Sequence, residues 1–352
     1  MPKVALVWIN YNSSHMRGVV RESLRSLYEL NYPSSDYEVI VIDNASTDGS
    51  WEFVRDLARE YSRRFNVRTV IYRSSRNLMY TGGNELGLRL MSRGVNYVGF
   101  INNDVIAHPD SLSSLIEYLR TYEEVGAVQG ILYYDRRGKY VNSAGCFIDT
   151  LLNCHMVSTP ITKPLSVTYT HGAYSVYSLK ALKKILHNGR LFFQCVPAFF
   201  DDNYIGMRLW NSGYMSCALP VNAGTHLHSA TFKRLSLLRD VNSFRTSIVK
   251  GRVITLNYQS IYTLYIVKRV ATLLRRLDFR LLIRTYLEAT ECGDFIVKSL
   301  GCRLSIDKIP HIPLSINEII KVILGAGRSV YSKFLDGNYV LSRACLKDLC
   351  PK

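Results

Sequence analysis

The sequence predicts an α/β fold, a mostly parallel sheet flanked by helices and followed by a C-terminal helical segment. Three observations predict it. Short apolar runs alternate with amphipathic stretches between residues 3 and 102. The first two runs are mostly apolar, as in buried strands, and their alternation with helices argues for a mostly parallel sheet. Beyond residue 233 helical periodicity takes over, and the charge balance changes with it.

Lys3–Ile9 (KVALVWI) reads as the first buried strand. Met16–Leu30 spaces Val19, Leu24, Leu27 and Leu30 as one helix face, with Arg17, Arg21 and Arg25 on another. Tyr37–Asp43 (YEVIVID) is the second strand, and Ser46 and Asp48 are cap residues that open the next helix. Val67–Arg73 is the third strand, Thr81–Gly94 a helix entered through Gly82 and Gly83, and Asn96–Asn102 the fourth strand. Residues 125 to 230 are less regular. They hold strand-like runs and a helix that opens on Asp201 and Asp202 and ends at Gly213. Further on, Arg269, Arg276, Arg280 and Arg284 recur at helical intervals, with Leu273, Leu274, Leu277, Leu281 and Leu282 on another face.

Composition divides the chain at the same place. Residues 233–352 hold 21 Lys and Arg against 9 Asp and Glu, whereas residues 1–232 hold 23 against 19. We therefore expect a nearly neutral catalytic region over 1–232 and a basic, mostly helical region over 233–352. The basic region points to an anionic surface, phospholipid or nucleic acid. Nucleic acid is disfavoured, because the charge lies outside the motif-bearing region and lacks interleaved aromatics. No apolar run is long enough to span a bilayer. The 8 cysteines are scattered without a Cys-x-x-Cys pair, which predicts buried thiols in a reducing, cytoplasmic setting.

Polar residues crowd the expected strand ends, where ligands bind in such sheets. Asp43 suits a hydrogen bond from a nucleobase or ribose. It lies too early to cap the following helix, a role left to Ser46 or Asp48. Gly82 and Gly83 would admit a diphosphate to a helix N-terminus, or simply form a loop-to-helix turn. Asp104, after Asn102 and Asn103, suits a hard divalent cation bridging diphosphate oxygens. The ordinary alternative is an Asx turn, although Pro109-Asp110 explains the next helix start without it. Asp201 and Asp202 follow an aromatic pair. Partial burial would raise a carboxyl pKa and make a stronger general base, and a charged first helix turn is the simpler alternative. His226 and His228 follow a strand and could place one imidazole on the metal.

Five blocks, "VWINYNSS", "VIDNASTDGS", "NLMYTGGNELG", "FINNDV" and "FFDDNYIGMRLWNSGY…LPVNAGTHLHSAT", resemble the family 2 glycosyltransferases in order and spacing. The resemblance covers roughly residues 3–232 and is nearest the rhamnosyltransferase-like branch. It implies a GT-A, Rossmann-like fold and an inverting, metal-dependent transfer of a hexose from a nucleotide-sugar donor to a glycan or lipid-linked acceptor. Asn10 and Tyr11 would line the nucleotide pocket and Asp43 would contact the base. Asn77 and Asn84 would lie near ribose and diphosphate. Asn102, Asn103 and Asp104 would stand in the Asp-x-Asp motif, with Asp104 on Mn²⁺ or Mg²⁺ and His226 or His228 completing the shell. Asp202 would be the general base, with Asp201 where Glu is usual, and His171-Gly172-Ala173 would form an acceptor-side loop. The segment 250–290 would meet an anionic membrane. A non-catalytic nucleotide-sugar-binding protein is the alternative, and a nucleic-acid-binding protein a more distant one.

Overall fold

The computed structural model describes residues 1–196, 200–227, 236–256, 259–274, 278–344 and 350, with residues 236–239 described through their backbone alone. The first four strands are β1 (Val4–Asn10), β2 (Tyr37–Asp43), β3 (Arg68–Arg73) and β4 (Tyr97–Asn102). β1 is the centre: it pairs in parallel with β2 on one edge and with β4 on the other. Leu6 and Trp8 enter one apolar cluster, and Ala5 and Val7 enter the cluster on the opposite face. Burial on both faces is why this run carries no alternating pattern.

Among the described residues ten strands share one sheet. The remaining strands that matter here are β5 (Val105–Ala107), β6 (Val125–Tyr133), β7 (Val141–Ser143), β8 (Cys146–Asp149), β9 (Cys154–Met156), β10 (Leu165–Ser166), β11 (Tyr174–Ser178) and β12 (Met215–His226). The sheet runs β10-β12-β6-β11-β4-β1-β2-β3, with β5 added on β12 and β7 on β6. β11 lies antiparallel between β4 and β6, and β12 runs parallel to β6. The sheet is therefore mixed rather than purely parallel.

The helices α1 (Arg17–Ser26), α2 (Ser50–Phe65), α3 (Met79–Leu90), α4 (Ser111–Thr121), α5 (Leu179–Ile185) and α6 (Asp201–Asn211) cover the sheet. α1, α2 and α4 bury Leu24, Val54 and Leu115 with β1 and β2 on one face. α5 and α6 bury Leu182 and Leu209 on the other. Beyond them come α7 (Ser236–Val253), α8 (Gln259–Leu273) and α9 (Phe279–Leu300). Phe244, Tyr262 and Ala289 of these helices share one apolar cluster with Phe147 of β8 and Met207 of α6. Residues 233–352 therefore complete a core that begins in the first region.

Two expectations are corrected here. Gly82 and Gly83 do not precede the helix as expected, since α3 begins at Met79 and they lie within it. A Cβ on Gly83 would stand 2.8 Å from Ile9 Cδ1, and one on Gly87 would stand 2.4 Å from Val7 Cγ1. These two glycines let α3 lie against β1, and Gly82 borders a separate hollow of about 160 Å³ beside Glu85 and Arg190. Nor are all the cysteines thiols. Cys195 is bonded to Cys292, and Cys217 to Cys350. Cys146, Cys154 and Cys302 are free, and Cys345 lies outside the described residues. The partners are 97 and 133 residues apart, so no local spacing announces them.

Gly87→Ala tests the α3–β1 contact. In an open helix the change stabilises by about 0.5–1 kcal/mol; here overpacking against Val7 should cost about 1–3 kcal/mol instead. Urea denaturation reads the sign, and a stabilised variant would refute the contact.

Candidate active site

The parallel register sets Asn10 opposite Asp43 and Ile9 opposite Asn102, so three strand ends open into one crevice. Asn10 and Asp43 are fully buried. Asn10 Nδ2 donates to Asp43 Oδ1 at 2.9 Å and to Ser46 and Ser50 Oγ at 3.2 Å each. Asp43 Oδ2 accepts from the Ser46 N–H at 2.9 Å, Oδ1 accepts from Ser46 Oγ at 2.6 Å, and Arg73 Nε stands 3.6 Å away. Asp43 organises the turn that leads to α2 without capping that helix, whose N-cap is Gly49. A nucleoside contact from Asp43 has to share these acceptor positions. Tyr11 is the exposed side chain at this strand end. Asp48 holds the neighbouring loop. Burial would raise its pKa, but hydrogen bonds from Ser50 and Ser14 outweigh that and bring it to about 2.

Asn44, which the sequence reading passed over, ties β2 to the start of α3. Its Oδ1 accepts from Leu78 N at 2.8 Å, and its Nδ2 donates to Asn77 Oδ1 and Met79 O at 3.0 Å each. Asn77 Oδ1 also accepts from Met79 N at 2.8 Å. Ala45 and Met79 hold left-handed backbone, φ 63° and 59°. Such positions cost about 1–2 kcal/mol each, and these side-chain hydrogen bonds help to enforce them. Asn84 is buried within α3, and its Nδ2 has no hydrogen-bond partner among the described residues.

Asp104 sits between β4 and β5, with Asn102 and Asn103 half-buried before it. β5 pairs antiparallel with the end of β12, which puts His226 opposite Val105. Asp104 Oδ1 thereby lies 3.4 Å from His226 Nε2. His226 Nδ1 meets Asn142 Oδ1 at 3.0 Å. An amide oxygen only accepts, so Nδ1 carries a proton and Nε2 is the ring nitrogen that faces the carboxylate. Two acceptors at this distance repel unless a proton or a cation lies between them. Neighbouring ligands on an octahedral divalent ion are about 3 Å apart, so the pair fits one metal whose other positions go to water or phosphate. Among the described residues no third His, Cys, Asp or Glu completes a self-sufficient site. His228 lies outside the described residues.

Asp202 stands in the first turn of α6. Its Oδ2 accepts from the Gly172 N–H at 3.1 Å, and its Oδ1 accepts from Asn203 N at 2.8 Å. Burial raises its pKa, and the hydrogen bonds from Asn203 and Gly172 and the charge of Lys250 oppose the rise. Gly172 O accepts from Tyr80 OH at 2.7 Å, so Tyr80, the 171–173 loop and Asp202 form one chain across the site. Burial, with Asp201 and Asp202 nearby, pushes the Tyr80 phenol well up. The same loop carries His171, whose ring centre is 5.7 Å from that of His226. His171 N donates to the buried Gln129 at 2.6 Å. The metal-type pair and the Asp202 carboxylate therefore flank one loop. Asp201 borders a small apolar niche with Phe192 and Phe200.

A model of the glycosyl transferase family 2 domain matches residues 6–186. The chain belongs to that family. It is a glycosyltransferase on a GT-A fold. No curated protein matches the chain. Among solved structures it resembles TarS of S. aureus at 15% identity and a TM-score of 0.53, covering 84% of this chain and 50% of that one. This chain thus spans half the length of TarS. It resembles the mannosyltransferase PcManGT of Pyrobaculum calidifontis, in complex with GDP-Man and Mn²⁺, at 16% identity and a TM-score of 0.51, over 97% and 86% of the two chains. It also resembles GalNAc-T7 with UDP, GalNAc and Mn²⁺ at 11% identity and a TM-score of 0.56, over 94% and 58%. At these identities the likeness is one of fold.

In this glycosyltransferase, sequence reasoning missed Asn44, Tyr80, Gln129 and Asn142. Asn44 and Tyr80 lie inside recognised blocks and could have been noticed there. Gln129 and Asn142 act only through contacts 42 and 84 residues away. The raised Asp202 pKa has a direct check. In ¹³C NMR its carboxyl should titrate above the ordinary carboxylate range, with the resonance assigned by its loss in Asp202→Asn. A midpoint at or below that range would contradict the burial argument.

Proposed function

We propose that the protein is an inverting, metal-dependent hexosyltransferase of the rhamnosyltransferase-like branch, acting in surface polysaccharide assembly. The observation that carries this reading is the Asp104–His226 pair, 3.4 Å apart, standing across the 171–173 loop from Asp202. Support comes from PcManGT, whose structure holds GDP-Man and Mn²⁺, and from TarS residues 1–349, whose structure holds UDP-GlcNAc. The donor is a nucleotide sugar and the acceptor a glycan or lipid-linked hydroxyl. Residues 1–232 form the catalytic unit, and 233–352 a helical unit built onto it.

Asp104 and His226 would hold Mn²⁺ or Mg²⁺, with Asn102 and Asn103 as neutral neighbours. When bound, such a cation neutralises charge on the departing diphosphate. Asp202 accepts the proton of the acceptor hydroxyl. The freed oxygen forms its bond to the anomeric carbon on the face opposite the nucleoside diphosphate, and the bond to that group breaks. The Gly172 N–H and Tyr80 orient Asp202 by way of the loop. A raised pKa makes the carboxylate a better proton acceptor.

The second region supports membrane docking through 250–290. α9 buries Leu282, Ala289 and Ile296 yet leaves Phe279, Ile283, Leu287 and Phe295 exposed, with Arg280 and Arg284 beside them. Basic and apolar groups on one exposed face suit an anionic interface. Among the described residues no helix is long and apolar enough to cross a membrane.

Asp202→Asn should lower transfer about 10²–10⁴-fold while nucleotide-sugar affinity holds; a near wild-type rate would remove Asp202 as the base. Asp104→Ala should weaken nucleotide-sugar binding only when Mn²⁺ is present, as read by titration with and without the metal. Ile283→Asp with Leu287→Asp should cut co-sedimentation with phosphatidylglycerol vesicles by about tenfold or more, given roughly 1.5–3 kcal/mol per buried side chain. Unchanged co-sedimentation would dismiss the docking face.

A further inference from the structure

A second cleft lies beside Asp202, and the chemistry above does not use it. It has a volume of about 280 Å³ and lies between the β8–β9 turn, α7 and α8. Asn203, the residue after Asp202, touches its wall: Asn203 Nδ2 stands 3.6 Å from Cys154 Sγ. Two cationic side chains line the cleft. Lys250 of α7 is only 5% exposed, and its ammonium donates to Leu152 O at 3.3 Å and to Cys154 Sγ at 3.2 Å. Arg269 of α8 is half-buried and donates to Ser243 Oγ at 3.1 Å and to Ser247 Oγ.

Nearby carboxylates are committed elsewhere. Glu288 pairs with Arg245 and Arg284, and Asp294 with Arg252. The buried Asp149 accepts from Leu151 N and Asn153 N and meets His155. Neither Lys250 nor Arg269 has an ion-pair partner among the described residues. The charge of Lys250 reaches the Asp202 carboxylate, and Arg269 adds a second positive charge with no described carboxylate against it, so the cleft is set for an anion. Its hydrogen-bonding inventory agrees. Lys250 and Arg269 can only donate, and Ser243 and Thr246 add hydroxyls whose protons no described acceptor takes. Ser247 spends its proton on Ser243 O at 3.0 Å. The donors come from two helices, so they converge on more than one edge. That arrangement suits the several oxygens of a phosphate better than a flat carboxylate.

We propose that this cleft seats a phosphate group carried by the acceptor, which presents the acceptor's hydroxyl to Asp202. The proposal rests on reading Asp202 as the base of a glycosyltransferase. It commits the enzyme to acceptors bearing a phosphate monoester or diester near the reacting hydroxyl. Lys250 and Arg269 are positioning residues in this scheme and take no part in the proton transfer.

The test uses the full-length protein with UDP or GDP present to occupy the donor side. Inorganic phosphate, titrated by calorimetry, should bind the wild type. Binding should weaken about tenfold or more in Arg269→Gln, recover in part in Arg269→Lys, and vanish in Ser243→Asp, which sets a carboxylate beside Arg269. Ser243→Asp carries the test should Arg269→Gln fail to fold. Glycerol phosphate competing in solution marks a soluble acceptor, and Arg269-dependent binding to phosphatidic acid vesicles marks a lipid-borne one. No phosphate binding by the wild type, or binding untouched by both variants, overturns the proposal. Failure of the glycosyltransferase reading is separate: nucleotide sugars would be neither bound nor hydrolysed, while the phosphate result stood.

Discussion

β1 is buried on both faces and hydrogen-bonded along both edges, and the placement of the polar groups at the first strand ends follows from that. Its parallel pairing with β2 and β4 brings Asn10, Asp43 and Asn102 to one level. The polar strand ends must then find partners beside a dry core. Asn10 and Asp43 do so by bonding each other and the serines of the adjoining loops. α3 can lie close because Gly83 and Gly87 offer no side chain to Ile9 and Val7. That closeness sets where Asn77 and Tyr80 stand.

The second half of the site depends on a later strand. β12 is 12 residues long and crosses from β6 to β5, so its last residue meets the segment that carries Asp104. The Asp104–His226 pair is thus a product of sheet pairing between residues more than a hundred positions apart. Asp202 comes from α6 and is held by a loop hydrogen bond rather than by an ion pair. Burial favours its protonated form while the Gly172 N–H favours the charged one. Tyr80 closes the circuit by holding the other side of Gly172.

The C-terminal helices do more than carry charge. Lys250 belongs to a helix whose Arg245 and Arg252 are ion-paired, yet it is drawn into the interior beside α6. α9 is bonded through Cys292 to Cys195, in the loop that leads into α6. Changes at the outer helices therefore have a short mechanical path to Asp202.

The sequence by itself determined the fold class and the order of the first strands and helices, and it marked Asp43, Asp104, Asp202 and His226 as candidates. Those are matters of apolar periodicity and of polar residues at strand ends, which are local. It gave Gly83 to a ligand because a glycine needed for a helix-to-strand contact looks the same in one dimension as one needed for a ligand. It misread the cysteines because a disulfide is decided by three-dimensional proximity. Only the tertiary structure joined Asp104 to His226 through β5 and β12, set Asn142 behind the imidazole, and turned Lys250 inward. Those outcomes depend on pairing and packing between distant segments, which no local pattern of side chains encodes.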